Sequence, residues 1–256
     1  MRELISKTLD NVERDAACSV LYACESGSRA WGFASPDSDY DVRFIYVHDL
    51  AWYLNLEAGK DTIDRMLPND LDLGGWELQK SLRLFQGCNL ALNEWIGSPI
   101  VYADEHGLRE LLKDLIPDYF NPKKAMFHYL NMANKASEAM GSDGSIPIKK
   151  LFYVLRPLLA CCWIQRYSSM PPTSFCELLE AELLPNDILR EINSLLAEKA
   201  EAAEEFRIAI PCTLFQWYSA EREKLETHAR KISSDGNKEW GPLNRLFQTY
   251  AMRLDK

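Results

Sequence analysis

The chain has 256 residues, 47% of them hydrophobic and 26% charged, with a formal net charge of -9 and a pI near 5.1. Such a composition belongs to a folded protein with core enough for one large domain or two modest ones, and it excludes a global basic field that would hold nucleic acid by phosphate neutralisation. A polyanionic ligand has to be met by a local patch or by metal ions.

In chain order, "LISKTLDNVERD" reads as a helix, and the N-terminus around it is amphipathic and acidic, without the apolar stretch of a signal peptide. No apolar run approaches a membrane span, so a cytoplasmic protein is expected. "CSVLYAC" and "DVRFIYV" read as apolar strands, followed by two shorter ones at "DTIDRML" and "DLDL", separated by the turn-like Pro68-Asn69. From Trp76 the period changes: Leu78, Leu82 and Phe85 in "WELQKSLRLFQGC" are spaced as one buried stripe of a helix. "EWIGSPIVYADEHGLRELLKDLI" predicts a short loop and another helix, and beyond Pro117 helical periodicity covers 121–140, 148–167, 186–205 and 212–232. "GSDGSIP" is expected as a loop joining two of these helices, and Pro157 is expected to kink or restart the helix that contains it. The order of patterns predicts an α+β fold: a mixed-sheet domain over 1–115 and a helical domain over 116–256.

Seven cysteines without CxxC spacing, two of them adjacent at Cys161 and Cys162, suit neither a disulfide framework nor a zinc site, and they are expected to be reduced and mostly buried. The four histidines are far apart and form no metal-binding helix pair. The acidic run "AEKAEAAEEF" reads as a solvated helix face, and Trp31 and Trp76 as packing residues.

The chemistry concentrates in "CESGSRAWGFASPDSDYDVRFIYV". Along a strand, Asp39 and Asp41 point to one face while Tyr40 and Val42 point to the other. Two carboxylates side by side repel unless a cation sits between them, one is protonated, or both stay hydrated. A hard divalent cation is the most economical partner, because magnesium takes one or two carboxylates together with substrate phosphates. Gly27-Ser28 supplies a candidate phosphate turn, where glycine permits close backbone approach and the hydroxyl and following amides point at phosphate oxygens. In "NDLDLGGWEL", Asp70 and Asp72 alternate with leucines, and either acid is placed to complete a triad across neighbouring strands. Calcium fits poorly: a loop starting at Asp37 would need glycine and an acid where the chain has Val42 and His48. Taken alone, "DSDYD" reads equally well as an acidic surface turn.

Two arginines stand close by. Arg29 is a candidate for phosphate contact or for pairing with Asp37, and Arg43, on the face of Asp41, for neutralising the acids in the absence of metal. In "IKKLFYVLRPLLACCWIQRY", Lys149, Tyr153 and Arg156 share one stripe of an otherwise apolar helix, which suits a cleft that binds a nucleotide. The competing reading has Lys149 reaching solvent and Arg156 paired with a core acid such as Glu94.

The order of strand, Gly-Ser, Asp-x-Asp, apolar strand and later acid resembles the DNA polymerase β-like nucleotidyltransferases. With "GWELQKSLRLFQGCN", "NEWIGSPIVY" and "KKLFYVLRPLLACCWI", it resembles more narrowly the RNA repair pathway DNA polymerase β family. The resemblance implies a small mixed sheet with helices against it, and a metal-dependent transfer of a nucleoside monophosphate from a nucleoside triphosphate to an acceptor hydroxyl, with release of pyrophosphate. Gly27 and Ser28 then grip the triphosphate, Asp39 and Asp41 hold two magnesium (or manganese) ions, and Asp72, ahead of Asp70, is the third acid. The family name implies an RNA 3′ end as acceptor. Relatives in the wider superfamily leave open a protein acceptor, or a non-catalytic nucleotide sensor with an antitoxin-like role.

Overall fold

A computed structural model describes residues 1–57, 59–68, 70–201, 206–233 and 238–252. Helix α1 (Arg2–Ala16) buries Ile5, Leu9 and Val12 along one stripe and ends at Ala17, whose left-handed conformation returns its N–H to the carbonyl of Glu13. Strand β1 (Cys18–Glu25) follows, then the single turn α2 (Gly27–Trp31), strand β2 (Tyr40–His48), the turn α3 (Leu50–Tyr53), β3 (Thr62–Leu67), β4 (Leu71–Glu77) and, after two helices, β5 (Val101–Ala103). The five strands form one sheet in the order β3-β4-β2-β1-β5, with β2 and β4 parallel and every other pair antiparallel. The parallel pair lets β4 lie beside β2 although a hairpin strand intervenes in sequence.

The strand period of two divides β2 cleanly between the faces. Val42, Phe44 and Tyr46 join Leu71 and Leu73 of β4 in a core cluster with Ile5, Leu9 and Val12 of α1, and Tyr40 packs at its margin. Ile45 and Val47 face the opposite cluster, built on α4 (Leu78–Gln86), α5 (Leu90–Ile96) and α6 (Leu108–Tyr119). Asp41 and Arg43 continue this second row outward. Helix α4 starts later than Trp76, where the helical pattern begins, because Trp76 and Glu77 still belong to β4. The Glu77 carboxylate caps the helix by accepting from the N–H groups of Gln79 and Lys80.

The remaining elements are α7 (Pro122–Ser137), β6 (Ser145–Pro147), α8 (Ile148–Tyr167), α9 (Phe175–Glu180), α10 (Asn186–Glu201), β7 (Arg207–Ala209), α11 (Cys212–Lys231) and α12 (Gly241–Ala251). By internal contacts the chain forms two compact units: Met1–Gly27, Asp39–Tyr119 and Gly236–Lys256 in the first, and Ser28–Ser38 with Phe120–Asp235 in the second. In the first, α12 contributes Leu243, Leu246 and Tyr250 to the cluster around α4. In the second, Trp31 and Phe33 of the short segment after Gly27 meet the rings of Phe152, Tyr153 and Phe175.

Several expectations need correction. "VYA" and the end of "GSDGSIP" are not loop: β5 extends the sheet beside β1, and β6 pairs with β7. Strands of three residues are too short to show alternation in sequence. Pro157 does not restart a helix: α8 carries it inside a single span, Ile148–Tyr167. The run "AEKAEAAEEF" is not wholly a solvated face: Lys199 is 1% exposed, donating from Nζ to Ser35 Oγ at 2.7 Å. It falls on the buried stripe of α10 with Ile188, Ile192 and Leu195, and helical phase outweighs local composition. Residues 202–205 of that run, the end of the expected helix 186–205 and Asn69 of the expected turn lie outside the described residues. No described helix is long and apolar enough to cross a membrane.

All seven cysteines are free thiols, four of them buried. Burial pushes the Cys24 and Cys162 thiols up to about 12 from an ordinary 9.0. A raised folded-state value means that the unfolded chain gives up these protons first as pH rises, so their contribution is intact below pH 9.0 and is lost on the way to about 12. The thermal midpoint should therefore fall over this alkaline window, and fall less steeply in a Cys24→Ala/Cys162→Ala double variant, as a calorimetric pH series can check.

Candidate active site

The parallel register places Asp41 of β2 directly beside Asp72 of β4. Both carboxylates are about one third exposed, on the face opposite the α1 core, and the repulsion between them is offset by Arg43. A single nitrogen, Arg43 Nη2, lies 3.0 Å from Asp41 Oδ1 and 2.7 Å from Asp72 Oδ2. The other terminal nitrogen, Nη1, donates to the carbonyls of Val42 and Asp72, each at 3.1 Å. Opposite Arg43 in the ladder is Gly74, where a Cβ would come within 3.3 Å of Arg43 Cδ. The missing side chain leaves the channel through which the arginine stem reaches the acids.

Asp41 is fixed from a second direction. Gly27, in the left-handed region at φ +60°, lies so close that a Cβ on it would sit 2.2 Å from Asp41 Oδ2. The N–H of Ser26 donates to the carbonyl of Asp41 at 2.8 Å. A third fixing group is Glu25, which the motif reading did not single out. Its fully buried carboxylate accepts the N–H of Asp41 at 2.7 Å through Oε1, and the Tyr102 hydroxyl donates to Oε2. Ser98 Oγ donates to the Glu25 carbonyl at 2.7 Å, and Arg109 Nη2 to the carbonyl of Ser98 at 2.8 Å, so the loop after α5 backs the end of β1. The sequence did carry a signal for this residue: a carboxylate closing an apolar strand two positions ahead of Gly27.

Asp39 and Asp41 do not share a strand as expected. β2 begins at Tyr40, and Asp39 is an exposed residue ahead of it. Asp70 occupies the turn before β4 at φ +54°, so strand alternation does not carry back to it from Asp72, and its carbonyl accepts the N–H of Tyr40 at 2.7 Å. Among the described residues, no three histidine, cysteine, aspartate or glutamate side chains converge as a ready-made metal group. The donor chemistry nevertheless fits a hard cation. Asp41 and Asp72 are neighbouring carboxylates gathered around a positive charge, and that charge belongs to Arg43.

The other candidates lie in the second unit. Ser28 is buried, and its carbonyl accepts the N–H groups of Gly32 and Phe33, each at 3.1 Å. Arg29 Nη2 donates to the Ser38 carbonyl at 2.6 Å, closing the loop between them. Arg156 is fully buried, with its guanidinium 4.5 Å from the centre of the Trp31 ring and Nε donating to the Thr173 carbonyl at 3.2 Å. Tyr153 is partly buried and meets Trp31 edge-on at 5.0 Å, and Lys149 is partly exposed one turn earlier on α8. Trp31 and Trp76 are packing residues, the latter 4.0 Å from the Trp95 ring.

Residues 1–249 match the RNA repair pathway DNA polymerase beta family, and the chain belongs to that family. A Bacillus subtilis (strain 168) protein, "Uncharacterized protein YcgL", is 38% identical over 250 residues, covering 96% of this chain and 95% of its own length. The family description points to a nucleotidyltransferase-like function.

Any side chain at position 27 would meet the Asp41 carboxylate and strain the backbone. Gly27→Ala should lower stability by about 1–2 kcal/mol or more in denaturant titrations. The loss should shrink when Gly27→Ala is combined with Asp41→Ala, because the collision partner is gone; additive losses would show that the contact is not the cause.

Proposed function

We propose that the protein transfers a nucleoside monophosphate from a nucleoside triphosphate to an acceptor hydroxyl, releasing pyrophosphate. The observation that carries this reading is the side-by-side placement of Asp41 and Asp72, pressed on one side by the glycine of a Gly-Ser turn. Two magnesium or manganese ions held by Asp39, Asp41 and Asp72 would lower the pKa of the acceptor hydroxyl and offset charge on the triphosphate. Asp72, the outer neighbour of Asp41, takes the proton as the acceptor oxygen attacks the α-phosphorus, and the bond to the departing pyrophosphate breaks. Asp41, fixed by Gly27 and by the Glu25 carboxylate on its own N–H, sets the geometry. Gly27 and Ser28 grip the triphosphate, and Arg29 stands next to them in sequence.

For the nucleotide, Lys149 and Tyr153 have the partial exposure that direct contact needs, with the lysine on phosphate and the ring against base or sugar. Arg156 is wholly buried under Trp31, which suits holding the segment after Ser28 in shape. The favoured acceptor is an RNA 3′ end, in keeping with the family description. The cytoplasm supplies the nucleotide and keeps free thiols such as these reduced.

Incubation with each labelled nucleoside triphosphate, magnesium and a mixture of cellular RNA and protein should put label into the RNA. Asp41→Asn should keep the fold and lower incorporation about a hundredfold or more. Label in the protein pool would redirect the acceptor to a protein. Tight nucleotide binding without pyrophosphate release would make the protein a sensor, and unchanged turnover in Asp41→Asn would overturn the assignment.

A further inference from the structure

We infer that Arg43 is a built-in counterion for the acid pair, and that a divalent cation enters by exchange with its guanidinium. The inference rests on the metal-binding reading of Asp41 and Asp72. One nitrogen stands between the two carboxylates at 3.0 and 2.7 Å, the place a bridging cation would take. The arginine does not reach it by chance of rotamer. Two backbone carbonyls hold Nη1 at 3.1 Å each, and Gly74, opposite Arg43 in register, is the gap its stem passes through. The acids themselves are held in register by the parallel strands, so they remain adjacent when the arginine leaves.

Without a cation between them, adjacent carboxylates repel, and one would take up a proton or swing away. Arg43 keeps both aimed at a common point, and in doing so it competes with any metal ion. A free metal ion therefore binds weakly, because it must replace hydrogen bonds that the guanidinium already makes. The arrival of triphosphate changes the balance, since its oxygens add ligands for the ion and offer the displaced guanidinium another anion. Arg43 is thus a positioning residue that couples metal loading to nucleotide binding.

The test is titration of the full chain with manganese chloride, reading free ion by electron paramagnetic resonance against a protein-free blank that corrects for manganese bound by ATP itself, in wild type, Asp41→Asn, Arg43→Met, Arg43→Lys and Arg43→Met/Asp41→Asn. Without nucleotide, Arg43→Met should bind manganese about tenfold or more tighter than wild type. Arg43→Lys keeps a positive charge near the acids but has no second nitrogen for the two backbone carbonyls, and it should fall between them. The gain should vanish in the double variant. With ATP present, the wild type should approach the affinity of Arg43→Met. Should Arg43→Met fail to fold by circular dichroism, Arg43→Lys carries the comparison. Equal or weaker binding in the Arg43 variants, with wild-type binding still abolished by Asp41→Asn, would overturn the exchange and leave the metal site standing. No Asp41-dependent manganese binding in any variant, with or without ATP, would overturn the metal reading and the exchange with it.

Discussion

Everything at the acidic end of the sheet depends on the parallel pairing of β2 with β4, which sets Asp41 beside Asp72. Two adjacent carboxylates form an unfavourable pair until a positive charge is supplied. The fold supplies it from within the same strand, because Arg43, two residues along, shares the face of Asp41. The surrounding residues serve this contact. Gly74 leaves room for the arginine stem, Gly27 lies against the far oxygen of Asp41, and the buried Glu25 carboxylate holds the main chain at Asp41. Glu25 is itself stabilised by Tyr102 from β5, so the short edge strand contributes to the site it does not touch.

The second unit uses buried cations differently. The segment Ser28–Ser38 presents Trp31 and Phe33, and each ring faces a buried positive group: Arg156 at 4.5 Å from Trp31 and Lys199 at 5.7 Å from Phe33. Removing an ammonium or guanidinium from water is costly, and ring faces together with the Ser35 hydroxyl and Thr173 carbonyl return part of that cost. Aromatic packing against Phe152 and Phe175 then holds the segment in place. A polar stripe on an apolar helix, as at Lys149, Tyr153 and Arg156, is therefore not one environment. The lysine and tyrosine are partly exposed, while the arginine is buried against a tryptophan ring.

Long periodic elements were legible in the sequence because their side-chain period exceeds local noise. The buried stripes of α1 and α10 and the two-residue alternation of β2 are examples. Helix α8 spans the residues that its periodicity indicates, and Pro157 inside it did not prevent the helix, since surrounding burial outweighed one lost hydrogen bond. Where two patterns overlapped, at Trp76 and Glu77, the strand prevailed because those residues are paired in the sheet. The strands β5, β6 and β7 were invisible because three residues exist as strand only through a partner distant in sequence.

The chemistry on offer is readable from the order of residues: a Gly-Ser turn, acids before and along apolar strands, an arginine in phase with one of them, and a motif order that marks the family. Local rules carry that information, since the period of two assigns Asp41 and Arg43 to one face without reference to the rest of the chain. Which acids meet is settled by strand pairing. Asp72 stands beside Asp41 because β4 pairs in parallel with β2, whereas Asp70, two residues earlier, falls in a turn with a left-handed backbone. The same holds for Glu25, Tyr102 and Gly74, whose roles exist only across strands. Pairing between strands is a long-range choice made by burial and register, and neither is written in the neighbours of any one residue.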